Sequence, residues 1–245
     1  MVVSDERMAI MEKENDSISS VRGQAPSPKG IELFVHNIMR IKRLVEGAQK
    51  TLDQAQGFED FVWDVVRAGV VLLHASMEDT LRGFLSFKLS ESSEKVLNDI
   101  PLVSFSKSGQ PMKFFLGELS KHKGKMIDSL IQDSIDDFLN RKSFTSTDDI
   151  ASMLNKADID LSKVRGYFPI LEEMISRRHQ IVHKGDRITE SGKSILAPIK
   201  AMTLGKWVGT VSVFICELHA TIYPEDEKAE DGEYLRQFKK ELEEY

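Results

Sequence analysis

The chain predicts an all-α protein, an up-and-down bundle of four to five main helices. Three observations carry that expectation. Apolar residues recur at helical spacing through most of the chain, no segment alternates cleanly enough to compete as a strand, and proline and glycine stand where the periodic stretches should begin and end. At 245 residues and 41% hydrophobic, the chain can bury one substantial core. The expected organisation is a flexible or peripheral segment over 1–30, a helical domain over 31–223 and an acidic tail over 224–245.

The first segment is polar, holds only the brief apolar cluster Met8-Ala9-Ile10-Met11, and ends in Gly23-Gln24-Ala25-Pro26-Ser27-Pro28-Lys29-Gly30. A helix is predicted from about Glu32 to Leu52, where Leu33, Phe34, Ile38, Ile41, Leu44 and Val45 repeat with helical period. From about Phe58 to Leu89 apolar residues cover more than half of the helical circumference, the pattern of a central helix packed on several sides. Between Ser90 and Asp160 the pattern breaks up, with a loop around Ser108-Gly109-Gln110-Pro111 and helices near Phe114 to Leu119 and Lys125 to Leu139. Thr147 reads as the N-cap of a short helix through Leu154, with Asp148 and Asp149 in the first turn, where the helix dipole favours anions.

Tyr167-Phe168-Pro169 starts the next helix and Gly185 suits its C-terminal cap, so it should run from Ile170 to Lys184. A polar loop from Asp186 to Lys193 and Ala197-Pro198 lead to a last helix from about Lys200 to Tyr223. The acidic tail carries one short amphipathic stretch at Tyr234, Leu235, Phe238 and Leu242.

A formal charge of −6 argues against a broad basic face for nucleic acid, so any RNA contact should be local. Candidate patches are Lys113, Lys121, His122, Lys123 and Lys125; Arg141 and Lys142; and Arg177, Arg178, Lys184 and Arg187. The one cysteine, Cys216, lies in the apolar stretch Val211 to Cys216. It excludes an internal disulfide and a cysteine zinc site, and fits a cytoplasmic protein. A polar start with no signal peptide, and no run approaching the 18 or so apolar residues of a membrane span, point the same way. Gly-x-Ser-x-Gly and Walker-type phosphate loops are absent.

The most informative run is Ile175-Ser176-Arg177-Arg178-His179-Gln180-Ile181-Val182-His183-Lys184-Gly185. At about 100° per residue, Ile170, Leu171, Met174, Ile175, Ile181 and Val182 fall on one arc roughly 140° wide, with Arg178 near its middle. A guanidinium cannot shed its charge there. It needs a buried anionic partner, or the stripe must face water or phosphate. Two plainer readings stand beside a functional one: Arg178 paired across the bundle with Glu78, and His183 as a helix C-terminal cation. Metal is a further alternative, since His179 and His183 are four residues apart on one helix face. No HExxH, cysteine pair or carboxylate cluster supplies a third ligand, so no metal is expected.

The run resembles the Arg-x4-His signature of the HEPN superfamily. Val70 to Leu81, with the acidic Glu78, is similar to the long early helix of the RiboL-PSP type of HEPN domain, and Phe144 to Ile150 with its sequel to Asp160 is similar to the segment preceding the motif helix. The likeness spans roughly residues 30 to 222. It implies a metal-independent endoribonuclease without cofactor, in which Arg178 and His183 act on RNA, Glu78 and His179 support them, and Arg177, Lys184 and Arg187 contact the strand. It also implies a homodimer with a composite site; helix geometry only makes this reasonable, since positions five apart diverge by roughly 140° and 7.5 Å and two motif helices would bring both pairs into one cleft. In the family such enzymes serve as toxins or phage-defence effectors, with an antitoxin or defence-system partner. The rival reading is a non-catalytic module holding RNA, a nucleotide or a partner protein in the same groove.

Overall fold

The computed structural model describes residues 28–54, 59–103, 116–190 and 192–224. Seven α-helices form the bundle among them: α1 (Pro28–Gln54), α2 (Glu59–Ser90), α3 (Glu94–Leu97), α4 (Ile127–Asn140), α5 (Thr147–Lys156), α6 (Phe168–Lys184) and α7 (Ala201–Ile222). The 3-10 turn Leu116–His122 stands where a helix was predicted near Phe114 to Leu119. The segment expected to be peripheral and the acidic tail lie outside the described residues, except that α1 already starts at Pro28.

α2 is the central helix that the sequence predicts. Its long apolar surface packs against α1, α4, α6 and α7, and Val66, Val70, Leu73, Met77, Leu81, Phe84 and Leu85 are sealed from solvent. Gly69 lets α7 approach closely there: a Cβ would come within 2.6 Å of Leu204 Cδ2 on α7, so that side chain would have to shift to make room. On α1 the face turned inward is Ile31, Phe34, Val35, Ile38 and Ile41. Leu33 and Leu44, counted in sequence with that face, are exposed.

α5 begins one residue earlier than its sequence suggests. Ser146, not Thr147, is the N-cap: its Oγ accepts from Asp149 N at 3.1 Å, while Asp149 Oδ2 accepts from Thr145 N and Oγ1 at 3.0 and 2.8 Å. The Thr145 hydroxyl is the main reason the Asp149 carboxyl is held below its ordinary pKa.

α7 has the length and composition of a membrane-crossing helix, contrary to the expectation that no run approaches one. Its apolar side, from Leu204 through Val211, Phe214 and Ile215 to Ile222, is core against the bundle, and Cys216 is buried with it. The loop predicted after Gly185 is instead a hairpin. β1 (Arg187–Glu190) pairs antiparallel with β2 (Lys193–Leu196), with Arg187 opposite Leu196 and Glu190 opposite Lys193. Ile188, Thr189 and Ile195 favour the extended chain, and Gly192 takes a φ of 78° in the turn.

Candidate active site

The motif helix α6 is anchored on three sides. Leu171, Met174 and Ile175 are buried in the core. Glu172 Oε2 accepts from Thr147 N and Oγ1 at 2.7 and 2.8 Å, tying α6 to the start of α5, and Glu173 meets Lys206 of α7 at 3.2 Å. Its C-terminal end is fixed by consecutive left-handed residues, Gly185 at φ 58° and Asp186 at φ 55°; the Asp186 N–H donates back to Gln180 O at 3.1 Å.

Asp186 falls in the polar loop predicted after Gly185, yet only 1% of it is exposed. Its Oδ2 accepts from Arg67 Nε at 2.6 Å and from Arg177 Nη2 at 2.9 Å. Both guanidinium groups also donate to Ala197 O at 2.9 Å, Arg177 reaches Pro198 O at 3.2 Å, and the Asp186 carbonyl accepts from Ala197 N at 2.8 Å. One carboxylate thus clasps α2, α6 and the strand leaving the hairpin. Arg67 is 7% exposed, and among the described residues its other carboxylate is Asp64 at 3.1 Å, out in solvent. Arg177, expected among RNA contacts, is turned inward into this clasp, because the tandem arginines lie about 100° apart on the helix and the first faces Asp186.

Arg178 takes the other direction. It is half-buried, facing α2, and among the described residues it has no carboxylate within ion-pair distance; its Nε is buried without a hydrogen-bond partner. The pairing with Glu78 weighed from sequence does not form. Glu78 Oε1 accepts from Phe144 N at 2.9 Å, while Oε2 stands 3.5 Å from Arg82 Nη2 and 3.9 Å from His74 Nδ1. Glu78 is therefore held by the segment leading to α5 and by its own helix.

Sequence reasoning missed His74. Its Nε2–H donates to Phe144 O at 3.1 Å, which fixes the tautomer because a carbonyl can only accept. Burial holds its pKa below 6.5; Glu78 opposes that shift, and the positive charge of Arg178 adds to it. Arg178 and Glu78 thus act on one neutral, buried imidazole.

On the outer side of α6, His179 and His183 are both exposed, with ring centroids 4.5 Å apart and planes tilted by 46°. Ser176 and Val182 share that exposed strip, with Val182 46% exposed, so the apolar arc seen in sequence is core only in its first half. Lys184 is exposed, and the Arg187 guanidinium lies over Gly185, where a Cβ would come within 3.6 Å of its Nε. The structure brings His179 and His183 together; it puts Arg178 on the inward flank, about 140° round the helix from His183. In the remaining basic patches Lys125 pairs with Asp133 at 2.7 Å and Arg141 with Asp137 at 2.5 Å, while Lys142 stands over the Phe138 ring at 4.9 Å. Lys113 lies outside the described residues. Among those described, no group of three or more His, Cys, Asp or Glu side chains could hold a metal ion.

A comparison with protein families finds the RiboL-PSP-HEPN model matching residues 37–208 of the 245. The chain belongs to the RiboL-PSP-HEPN family. The match runs from α1 into α7 and takes in Glu78, Arg178 and His183 of this HEPN domain. Ribonuclease activity is ascribed to the family, and HEPN domains typically bind RNA and dimerise. No curated protein and no solved structure matches the chain.

Proposed function

We propose that this HEPN domain is a metal-independent endoribonuclease that cuts RNA through attack by the substrate's own 2′-OH, at a composite site formed by two copies of α6 in a homodimer. The observation that carries the reading is Arg178: a permanent cation, half-buried, with no carboxylate in range among the described residues. A structural arginine in this fold looks like Arg67 or Arg177, with a buried carboxylate to hold it. Arg178 is left with charge to offer an incoming phosphate.

The chemistry needs two things from the protein. One is a group that takes the 2′-OH proton or returns one to the leaving 5′-oxygen, and the exposed imidazole of His183 suits that work because its ring nitrogens can accept a proton or donate one. The other is a fixed cation for the extra charge on the phosphorane-like transition state, which Arg178 supplies. In one copy the two groups point apart. Packing the exposed strip of Ser176, His179, Val182 and His183 against a second α6 would bury Val182 and set the motifs around a shared cleft. His179, Lys184 and Arg187 are the candidate strand contacts; Arg177 is not carried into that set. A toxin or phage-defence effector acting on cytoplasmic RNA, restrained by an antitoxin or defence-system partner, is the biological setting we infer from the family.

Purified protein should cleave tRNA or messenger RNA with chelator present and leave 2′,3′-cyclic phosphate or its hydrolysed form. Arg178→Ala and His183→Ala should each cut at least about a hundredfold more slowly with melting temperature kept. Parental rates in both variants refute the assignment. Tight RNA binding without cleavage by the parent supports the non-catalytic alternative instead.

A further inference from the structure

We infer that His179 and His183 form a two-imidazole chelate for a divalent transition-metal ion of the Cu2+ or Ni2+ kind, and that the bound ion inhibits the domain by occupying the histidine that cleavage uses. The inhibition rests on the proposed function; the binding does not.

The argument is geometric. An imidazole nitrogen binds such an ion at about 2.0–2.1 Å, which puts the ring centre about 3.2 Å from the metal. Two rings on one ion then have centres about 4.5 Å apart at a right angle and about 5.2 Å apart at the tetrahedral angle. The observed separation is 4.5 Å, with both rings exposed and one helical turn apart, so a nitrogen from each can turn to one ion while water fills the other positions. Right-angled ligation with imidazole suits tetragonal Cu2+ and octahedral Ni2+ better than tetrahedral Zn2+, and copper heads the general affinity order. Mg2+ prefers oxygen ligands and has nothing here to select it. The helix pre-sets the second imidazole next to the first, so its binding is intramolecular and the pair exceeds either ring alone.

The charges nearby set the strength. Lys184, exposed next to His183, and Arg178, on the inward flank of the same helix, both repel a dication, and no carboxylate among the described residues completes a three-ligand set. The site is therefore weak and reversible, in keeping with inhibition and not with a structural centre. An ion held there removes the His183 lone pair from proton transfer and adds positive charge at the strand-facing side of α6.

The test uses the full chain without a polyhistidine tag, stripped by chelator and titrated with Cu2+, Ni2+ and Mg2+ by calorimetry. One Cu2+ or Ni2+ should bind per chain, Mg2+ should not, and His179→Asn or His183→Asn should each weaken binding at least about tenfold. His36→Asn, which removes an exposed histidine of α1, should leave it unchanged. Parental affinity in either motif variant, or equal loss in the His36 variant, overturns the site. In cleavage assays Ni2+ should inhibit the parent and chelator should restore it. A chain that binds Ni2+ but never cuts RNA keeps the site and refutes the proposed activity. A chain that cuts RNA but ignores Ni2+ keeps the activity and refutes the inhibition.

Discussion

Removing the Asp186 carboxylate is the sharpest test of how the motif helix is held. Asp186 and Arg67 are buried, and Oδ2 is the atom both arginines share, at 2.6 and 2.9 Å. Asp186→Ala leaves Arg67 with one backbone carbonyl inside and only the exposed Asp64 outside. Breaking a buried pair from one side costs about 3–5 kcal/mol, because the stranded charge stays desolvated. At about 2–4 °C per kcal/mol for a domain of this size, the melting temperature should fall on the order of 10 °C. Asp186→Asn keeps a side chain that tolerates the left-handed backbone and can still accept from the arginines, so about 1–3 kcal/mol is expected. Urea unfolding followed by circular dichroism reads both values as midpoint shifts at unchanged slope. If Asp186→Ala stays within about 1 kcal/mol of the parent, the clasp does not hold the helix and the reasoning fails.

His74 predicts a pH effect. Its folded pKa is lowered, so above about pH 6.5 it is neutral folded or unfolded and contributes nothing. As pH falls below 6.5 the unfolded chain takes up its proton first, and stability drops by up to about 1.4 kcal/mol per pH unit until the folded value is reached. His74→Gln should lessen the fall in melting temperature between pH 7 and pH 5; an identical fall removes His74 as its source. Glu78→Gln keeps the acceptor for Phe144 N, so it should cost under about 1 kcal/mol while slowing RNA cleavage about tenfold; an unchanged rate would make Glu78 a purely structural group. Gly69→Val should destabilise by about 1–3 kcal/mol in the same urea experiment, since its Cβ would stand 2.6 Å from Leu204 Cδ2 and force that side chain off its packing, and a neutral result would mean the α2–α7 contact is looser than described. Light scattering should give twice the chain mass, and a strict monomer at tens of micromolar would exclude the composite site.

The helices were legible because their signals are local. Pro169 and Gly185 mark the ends of α6 to within two residues, and the all-round apolar pattern of residues 58–89 gave the central helix its place. The hairpin was hidden by its shortness and by charged residues at the strand ends, although Ile188, Thr189 and Ile195 around Gly192 carried a faint strand signal. The division of labour between Arg177 and Arg178 was not legible at all. Two adjacent arginines look alike until one knows that residue 186 turns inward through two left-handed residues and reaches the first of them. His74 was equally hidden, since an imidazole on an apolar helix shows its partner only when a backbone carbonyl 70 residues away arrives beside it.

The clasp also bears on the order in which the molecule can assemble. Arg67 is joined to Asp186 across 119 residues and to Ala197 across 130, while the other arginine on that carboxylate is only nine residues from it. During synthesis α2 emerges early carrying a guanidinium that the core cannot accept without its counter-ion, and closing so long a loop is an entropic cost met late. The clasp can close only when Asp186 and Ala197 both exist, so Arg67 cannot tie α2 to the motif helix in a chain that has not yet reached Ala197.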